Sequence, residues 1–342
     1  MGAKWRSWSR GRRAGFVAAI LLCVMLIPIA GAAFFLRLEY SGDLRDDART
    51  RGRDAVWLGH AWVDGRKSEA DLIELGKLLS GTGIKDLYVH TGPLEHDGSL
   101  PSALYPQGKW LIDTAHRLLP GIRVQSWLGD LVRPEMEGLD LDDARVRHRV
   151  MDSAAQMLEL GFDGIHFDLE PVRSGSDGFV TMLAQTHDLT SKRQRLLSVS
   201  APVIDPLPGL HSVGSAVADH GKWWSQSYFA EVARSVDQIA VMSYDTAMPT
   251  PALYGGYVAQ QTELALQVTP ENVDLLMGLP AFHTDDIGHR AAAETVSAAI
   301  RGVRLGSGRE APGRESFGVA LYVDFAATPR DWSEYRADWC RD

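Results

Sequence analysis

Short apolar runs rich in β-branched and aromatic residues recur eight times between residues 55 and 325. They are AVWLGHAWV (55–63), KDLYVHTG (85–92), RVQSWLGD (123–130), GIHFDLEP (164–171), LLSVSAPV (196–203), QIAVMSYD (238–245), DLLMGLPAF (274–282) and FGVALYVDF (317–325). Near-continuous apolar character over so few residues marks strands buried on both faces. Segments of helical period separate them, at 69–81, 109–121, 142–161, 179–194, 223–236 and 291–305. In 142–161, Val146, Val150, Ala154, Met157, Leu158 and Leu160 fall near one face, and Gly161 supplies a stop. Strand and helix alternating in this way predict an α/β fold, a closed (β/α)8 TIM barrel over 55–342. An open, doubly wound sheet is the alternative. It would bind a dinucleotide at a G-x-G-x-x-G turn after its first strand, and none is present; GTGIKD (81–86) precedes a strand and lacks the third glycine.

The first 54 residues follow another pattern. Residues 15–36 are 22 consecutive uncharged positions, enough helix to cross a bilayer core of about 30 Å. Lys4, Arg6, Arg10, Arg12 and Arg13 precede them, so residues 1–14 read as a basic cytoplasmic tail. The expectation is a transmembrane signal anchor over 15–36, single-pass in the cell membrane with the barrel outside. The alternative is a signal peptide cleaved near Ala32, at Ala30-Gly31-Ala32, and a secreted product. Residues 37–54 are dense in charge and read as a solvated linker or stalk.

Composition narrows the partners. The chain is 45% hydrophobic and 23% charged, an ordinary globular balance. Its formal net charge is −9, and residues 37–342 alone carry −14. An acidic body repels phosphate backbones, so no nucleic-acid partner is expected. Two cysteines exclude a disulfide scaffold and a cysteine-based zinc site.

Barrels of this type place their chemistry at the C-terminal strand ends. Several predicted strands finish there in polar groups: Asp130, Asp168 with Glu170, Asp205, Tyr244 with Asp245, and Asp324. Acids at such positions also cap helices. Asp168 and Glu170 are different, because they interrupt an apolar strand. Residues two apart on a strand share a face, so His166, Asp168 and Glu170 project together. Two carboxylates held side by side disfavour double ionisation, and one keeps a proton near neutral pH. A protonated acid beside an ionised one suits protonation of a glycosidic oxygen.

These residues resemble a known family. DGIHFDLE (163–170) is similar to the D-G-x-D-x-D-x-E signature of glycoside hydrolase family 18, the chitinase-like (β/α)8 enzymes. VDQIAVMSYD resembles the family's sixth strand, which ends in M-x-Y-D, here Met242, Tyr244 and Asp245. LLMGLPAF is similar to the seventh strand, and GVALYVDF to the eighth, with Tyr322 where a tryptophan floor is usual. The resemblance implies hydrolysis of N-acetylglucosamine-containing glycans, chitin-like or peptidoglycan-like, by substrate-assisted retaining catalysis without cofactor or metal. Glu170 would be the general acid and then the base. Asp168 would bind the substrate's acetamido N–H and share a proton with Glu170. Tyr244 would donate to the acetamido oxygen, with Asp245 in support. His166 stands where the family has an inner aspartate. An imidazole there could donate to Asp168 and hold it ionised, or be a core histidine with no catalytic part.

Sugar-stacking candidates are Trp62, Trp127, Trp223, Trp224, Tyr254 and Tyr257; with Tyr322, Met242 and Asp324 they complete the substrate-side candidates. Two other classes stay open. One is a non-catalytic glycan-binding barrel. The other is a metal-dependent hydrolase using His166 and Asp168 with His60, His90 or His283. A serine-hydrolase reading fails because G-x-S-x-G does not occur. Loops 131–141 and 204–221 are candidates to shape a groove.

Overall fold

Eight parallel strands close on themselves in sequence order, each hydrogen-bonded to the next and β8 to β1. They are β1 (Asp54–Leu58), β2 (Ile84–Pro93), β3 (Arg123–Leu131), β4 (Gly164–Glu170), β5 (Leu196–Ala201), β6 (Gln238–Val241), β7 (Asp274–Pro280) and β8 (Phe317–Tyr322). This computed structural model describes residues 10–209 and 223–340, without the side chains of 10–15, 18, 21–23 and 25. Among those residues the longer helices are α1 (Arg10–Glu39), α2 (Glu69–Leu79), α3 (Gly108–Leu118), α4 (Ala144–Leu160), α5 (Asp177–Ser191), α6 (Gln226–Ala233), α7 (Pro251–Val268), α8 (Val296–Glu310) and α9 (Pro329–Asp338). The (β/α)8 architecture read from the hydrophobic pattern is therefore the observed one.

Strand alternation sorts the side chains into two layers. Outward residues such as Val56, Leu87, Ile165, Phe167, Val199 and Ile239 pack against the helices. Inward residues Ala55, Trp57, Tyr88, Trp127, Ala240, Leu276 and Ala320 fill the barrel. Its base is closed by polar groups. Asp86 accepts from Arg123 at 2.8 and 2.5 Å and from Gln125 and Gln238, while the Tyr88 hydroxyl donates to Gln238 at 2.6 Å. Side-chain caps start the helices that follow the later strands: Ser225, Thr250, Thr295 and Thr328 each accept an amide of the first turn.

Two helices were not among the periodic segments read from the sequence. α7 buries Tyr254, Tyr257, Val258, Ala259, Gln261, Thr262, Ala265 and Leu266. Its apolar residues face neighbours on several sides, so no single stripe stands out. α9 is short and strongly polar, and its Tyr335 and neighbouring Trp339 both donate to Asp54 at the base.

The N-terminal segment also differs from expectation. α1 runs to Glu39, and the residues after it are not a free linker. Arg309 donates to the carbonyls of Glu39 and Ser41, Arg301 to that of Gly42, and Arg304 to those of Arg45 and Ala48. The backbone at 39–48 is thus engaged by α8 rather than left to solvent. Gly255 and Gly256 of α7 let α1 approach, since a Cβ on Gly256 would overlap the Leu36 carbonyl. Described apolar side chains nearer the N-terminus point outward, among them Val24, Ile27, Ile29 and Phe34. Among the described residues no helix is long and apolar enough to cross a membrane. The tail at 1–9 and most of the 204–221 loop lie outside the described residues. Loop 131–141 is pinned shut by hydrogen bonds between Leu139 and both Leu131 and Arg133.

Candidate active site

β4 delivers three side chains to the barrel interior at rising heights. His166 is fully buried, Asp168 half-buried and Glu170 exposed at the mouth, the C-terminal end of the strands. The apolar residues between them, Ile165, Phe167 and Leu169, anchor the strand against the helices.

Asp168 and Glu170 titrate as a pair. Burial raises the Asp168 carboxyl, while Glu170, Ser200 and Trp127 pull it back down. Glu170 rises well above the usual carboxylate range, from burial first and then the Asp168 and Asp245 charges. Glu170 also reaches solvent at the mouth, which moderates the burial contribution. The Asp168 contact is the cause that survives this exposure. Of the two, Glu170 is the one pushed further up, so a proton shared by the pair rests on it. The Trp127 Nε1 donates to Asp168 Oδ2 at 2.9 Å. Asp168 Oδ1 is buried with no direct hydrogen bond, an acceptor left unfilled in the site.

Tyr244 lies just past β6 and is buried. Its hydroxyl pKa is pushed well above 10 by burial, then by Tyr322 and by the charges of Asp168, Glu170 and Asp245. The phenol is therefore neutral, and it lies close enough to the acid pair to feel both charges. Tyr322 stacks on it with centroids 5.3 Å apart and an interplanar angle of 22°. Tyr322 also meets the edges of Trp57 and Trp127, making an aromatic floor. Burial raises its own pKa to about 12. Met242, two residues before Tyr244, is half-buried.

Asp245 has φ of 57°, a left-handed conformation that aspartate tolerates better than most residues. His289 Nδ1 lies 3.1 Å from its Oδ1 and 3.5 Å from Glu294 Oε2. Glu294 in turn accepts from the Thr246 amide and hydroxyl. His289 and Glu294 were missed by sequence reasoning. They sit in the segment between β7 and α8, more than forty residues from Asp245, and no motif connects them.

Of the two roles open to His166, the hydrogen bonds favour the core one. The Trp57 indole donates to its Nε2 at 3.1 Å, so Nε2 carries the lone pair and Nδ1 the proton. Nδ1 then donates to Ser198 Oγ at 2.7 Å, and Ser198 donates on to Gln125. The ring stacks on Tyr88 with centroids 3.8 Å apart. Burial lowers its pKa to about 3. His166 is a neutral core histidine, and both nitrogens are engaged away from Asp168. Ser200 Oγ, 3.0 Å from Nε2, stands between His166 and Asp168.

Other candidates are placed elsewhere. Trp62 is 3% exposed and offers no face to a sugar. Its Nε1 donates to Asp324 Oδ2 at 2.8 Å, and the Gly59 amide donates to Asp324 Oδ1 at 2.8 Å. That pair ties the end of β8 to the loop after β1. Trp224 and Tyr254 are buried, and Trp223 donates to the Tyr257 hydroxyl. Asp130 pairs with His96, and Asp205 is buried near the Leu207 amide. The metal set around His166 is not assembled, since His60 and His90 contact each other and His283 contacts Asp331. Among the described residues the trio able to offer ligand atoms within 4.8 Å of one another is Asp245, His289 and Glu294. Its Nδ1–carboxylate contacts and the Thr246 donors already satisfy much of that set.

No family model matches the chain, and no curated protein matches it in sequence. Solved structures do resemble it. The spore cortex-lytic enzyme SleL of Bacillus megaterium QM B1551 is 15% identical at a TM-score of 0.57, over 85% of this chain and 75% of that one. The Group IV chitinase of Ostrinia furnacalis is 14% identical at 0.57, over 83% and 98%. The chitinase of Chromobacterium violaceum ATCC 12472 is 13% identical at 0.54, over 83% and 97%. At these identities the likeness shows a shared barrel fold, the one the motif resemblance implies.

Proposed function

We propose that the protein is a glycoside hydrolase that cleaves N-acetylglucosamine-containing glycans with help from the substrate's own acetamido group. One observation carries this reading: β4 brings the Asp168 and Glu170 carboxyls together at the mouth, close enough to shift each other's proton affinity, with the buried Tyr244 phenol within reach of both charges. Protonated Glu170 gives its proton to the glycosidic oxygen as the bond to C1 breaks. The acetamido carbonyl oxygen attacks C1 from the opposite face. Asp168 Oδ1, the unfilled acceptor, takes the acetamido N–H and makes that oxygen more nucleophilic. Tyr244 donates to the same acetamido oxygen, and Asp245 supports the group, held by His289. The ionised Glu170 then removes a proton from water, which attacks C1 and restores the original anomeric configuration. Holding the nucleophile within the substrate is worth an effective molarity of about 10⁵–10⁸ M. Tyr322 supplies the floor under the sugar.

The test is hydrolysis of a chromogenic N,N′-diacetylchitobioside by the purified protein, beside peptidoglycan fragments. Glu170→Gln should abolish turnover and keep binding. Binding without turnover in the unaltered protein would point to a glycan-binding barrel, and loss of activity on chelation to a metal hydrolase.

The same reading places the protein at the cell membrane, held by residues 15–36 with the barrel outside. The uncharged stretch supports this, as do the outward apolar side chains of α1. That stretch runs through positions 18, 21–23 and 25, which carry no charge. Retention in the membrane pellet after alkaline extraction tests it, and an N-terminus starting near residue 33 would mark a cleaved, secreted form.

A further inference from the structure

In a parallel barrel, α7 and α8 begin at the mouth, after β6 and β7, and end at the base, before β7 and β8. The segment leaving α1 descends along these two helices in the same sense. Leu36 lies at Gly256, in the second turn of α7. The carbonyls of Tyr40 and Gly42 meet Arg301 and those of Glu39 and Ser41 meet the long side chain of Arg309, while those of Arg45 and Ala48 meet Arg304 and the Thr50 amide reaches Trp339 at the base. Residues before Leu36 therefore rise toward the mouth and past it. Every described side chain from 16 to 32 is exposed, so that length of helix stands clear of the barrel. At 1.5 Å per residue, residues 15–32 span about 27 Å, close to a bilayer core. Ala33 is half-buried and Leu36 is buried against α7, so only a few residues separate that length from the barrel.

The rim of the mouth gives an independent observation. Among the described residues outside α1, the exposed large apolar side chains are Ile73, Leu131, Met136, Leu207, Ile287 and Phe325. All but Ile73 lie at strand ends on the mouth side or in segments that follow them. Ile287 is 94% exposed and Phe325 74%. The acids beside Ile287 turn inward, Asp286 to the amides of Gly288 and His289 and Asp285 to that of Ala291. The apolar tip is left outermost. Phe325 apart, these side chains lack the flat ring face that stacks on sugars, and all of them suit the boundary between headgroups and acyl chains.

We propose that the barrel mouth faces the bilayer that holds α1, with these rim side chains seated in its interface, so that the site takes N-acetylated glycan carried on the membrane surface. The proposal rests on the anchored-glycosidase reading above. The full chain, with Cys23→Ser, is placed in vesicles of phosphatidylethanolamine and phosphatidylglycerol. A fluorophore is attached at Ile287→Cys or, at the base, at Glu315→Cys. Spin-labelled lipid should quench the label at 287 several-fold more than the label at 315. Equal or stronger quenching at 315, or none at 287 in protein that floats with vesicles, overturns the proposal. Failure to float overturns it too, by removing the anchor, and leaves the glycosidase reading to its own assay. In a second measurement, Leu207→Glu with Ile287→Glu should lower hydrolysis of a lipid-linked glycan several-fold and spare the same glycan free in solution. Equal loss on both substrates overturns the orientation.

Discussion

Trp127 is expected to hold Asp168 ionised, and removing its donor should move one limb of the pH profile only. The indole bond to Oδ2 is 2.9 Å long, and Oδ1 has no direct hydrogen bond. Trp127→Phe keeps an aromatic ring and deletes the donor. A hydrogen bond to a charged group contributes about 1.5–3 kcal/mol, and the half-open position of Asp168 favours the lower figure. At 1.36 kcal/mol per unit, the Asp168 carboxyl should rise by about 1 pKa unit. The pair loses its protons in two steps. The first ionises Asp168 and sets the acid limb of kcat/KM. The second removes the Glu170 proton and sets the alkaline limb. Asp168 is ionised on both sides of that second step, so the lost bond cancels there. The acid limb should therefore move up by about 1 pH unit while the alkaline limb stays in place. Initial rates on the chromogenic chitobioside across the pH range measure both limbs. A parallel shift of the two, or an unmoved acid limb in a folded variant, refutes the reasoning.

Three more outcomes are expected. Glu170 has a folded pKa raised above its unfolded value, so its contribution to stability is full below about pH 4.3 and is lost as pH rises through the folded value. Glu170→Gln should accordingly melt higher than the unaltered protein at neutral pH, with the gap closing below that pH in thermal scans. His166 has the opposite sign: its pKa of about 3 lies below the unfolded value, so stability is present above about pH 6.5 and falls as pH drops toward 3. Urea midpoints taken between those limits should decline less steeply in His166→Asn. Trp62→Phe leaves Asp324 Oδ2 unpaired and should cost about 1–3 kcal/mol with KM unchanged, whereas a sugar-stacking role would raise KM.

The strands were legible because each is buried on both faces, which leaves an unbroken apolar run. The heights of His166, Asp168 and Glu170 followed from the period of two. The partners of those side chains were not legible. The His166 nitrogens are met by Trp57 from β1 and by Ser198 and Ser200 from β5, which closure of the barrel alone brings together. Position 166 was read against Asp168, its neighbour along the strand, when its hydrogen bonds run across strands. Residues 37–54 looked solvated because the arginines that engage them lie some 260 positions away, at 301, 304 and 309. His289 beside Asp245 is the same kind of case, a contact made by two loops at the mouth.

The hydrogen-bonded floor of the barrel carries a consequence for how the protein can change over generations. Trp57, His166, Ser198, Gln125, Gln238 and Tyr88 follow one another in a single hydrogen-bonded chain across the barrel. An aspartate at 166 alone would leave the Ser198 hydroxyl without its imidazole donor and set a third acid under Asp168. The histidine is thus held in place by its neighbours, and a replacement at 166 that keeps the level satisfied calls for matching changes at Trp57 or Ser198.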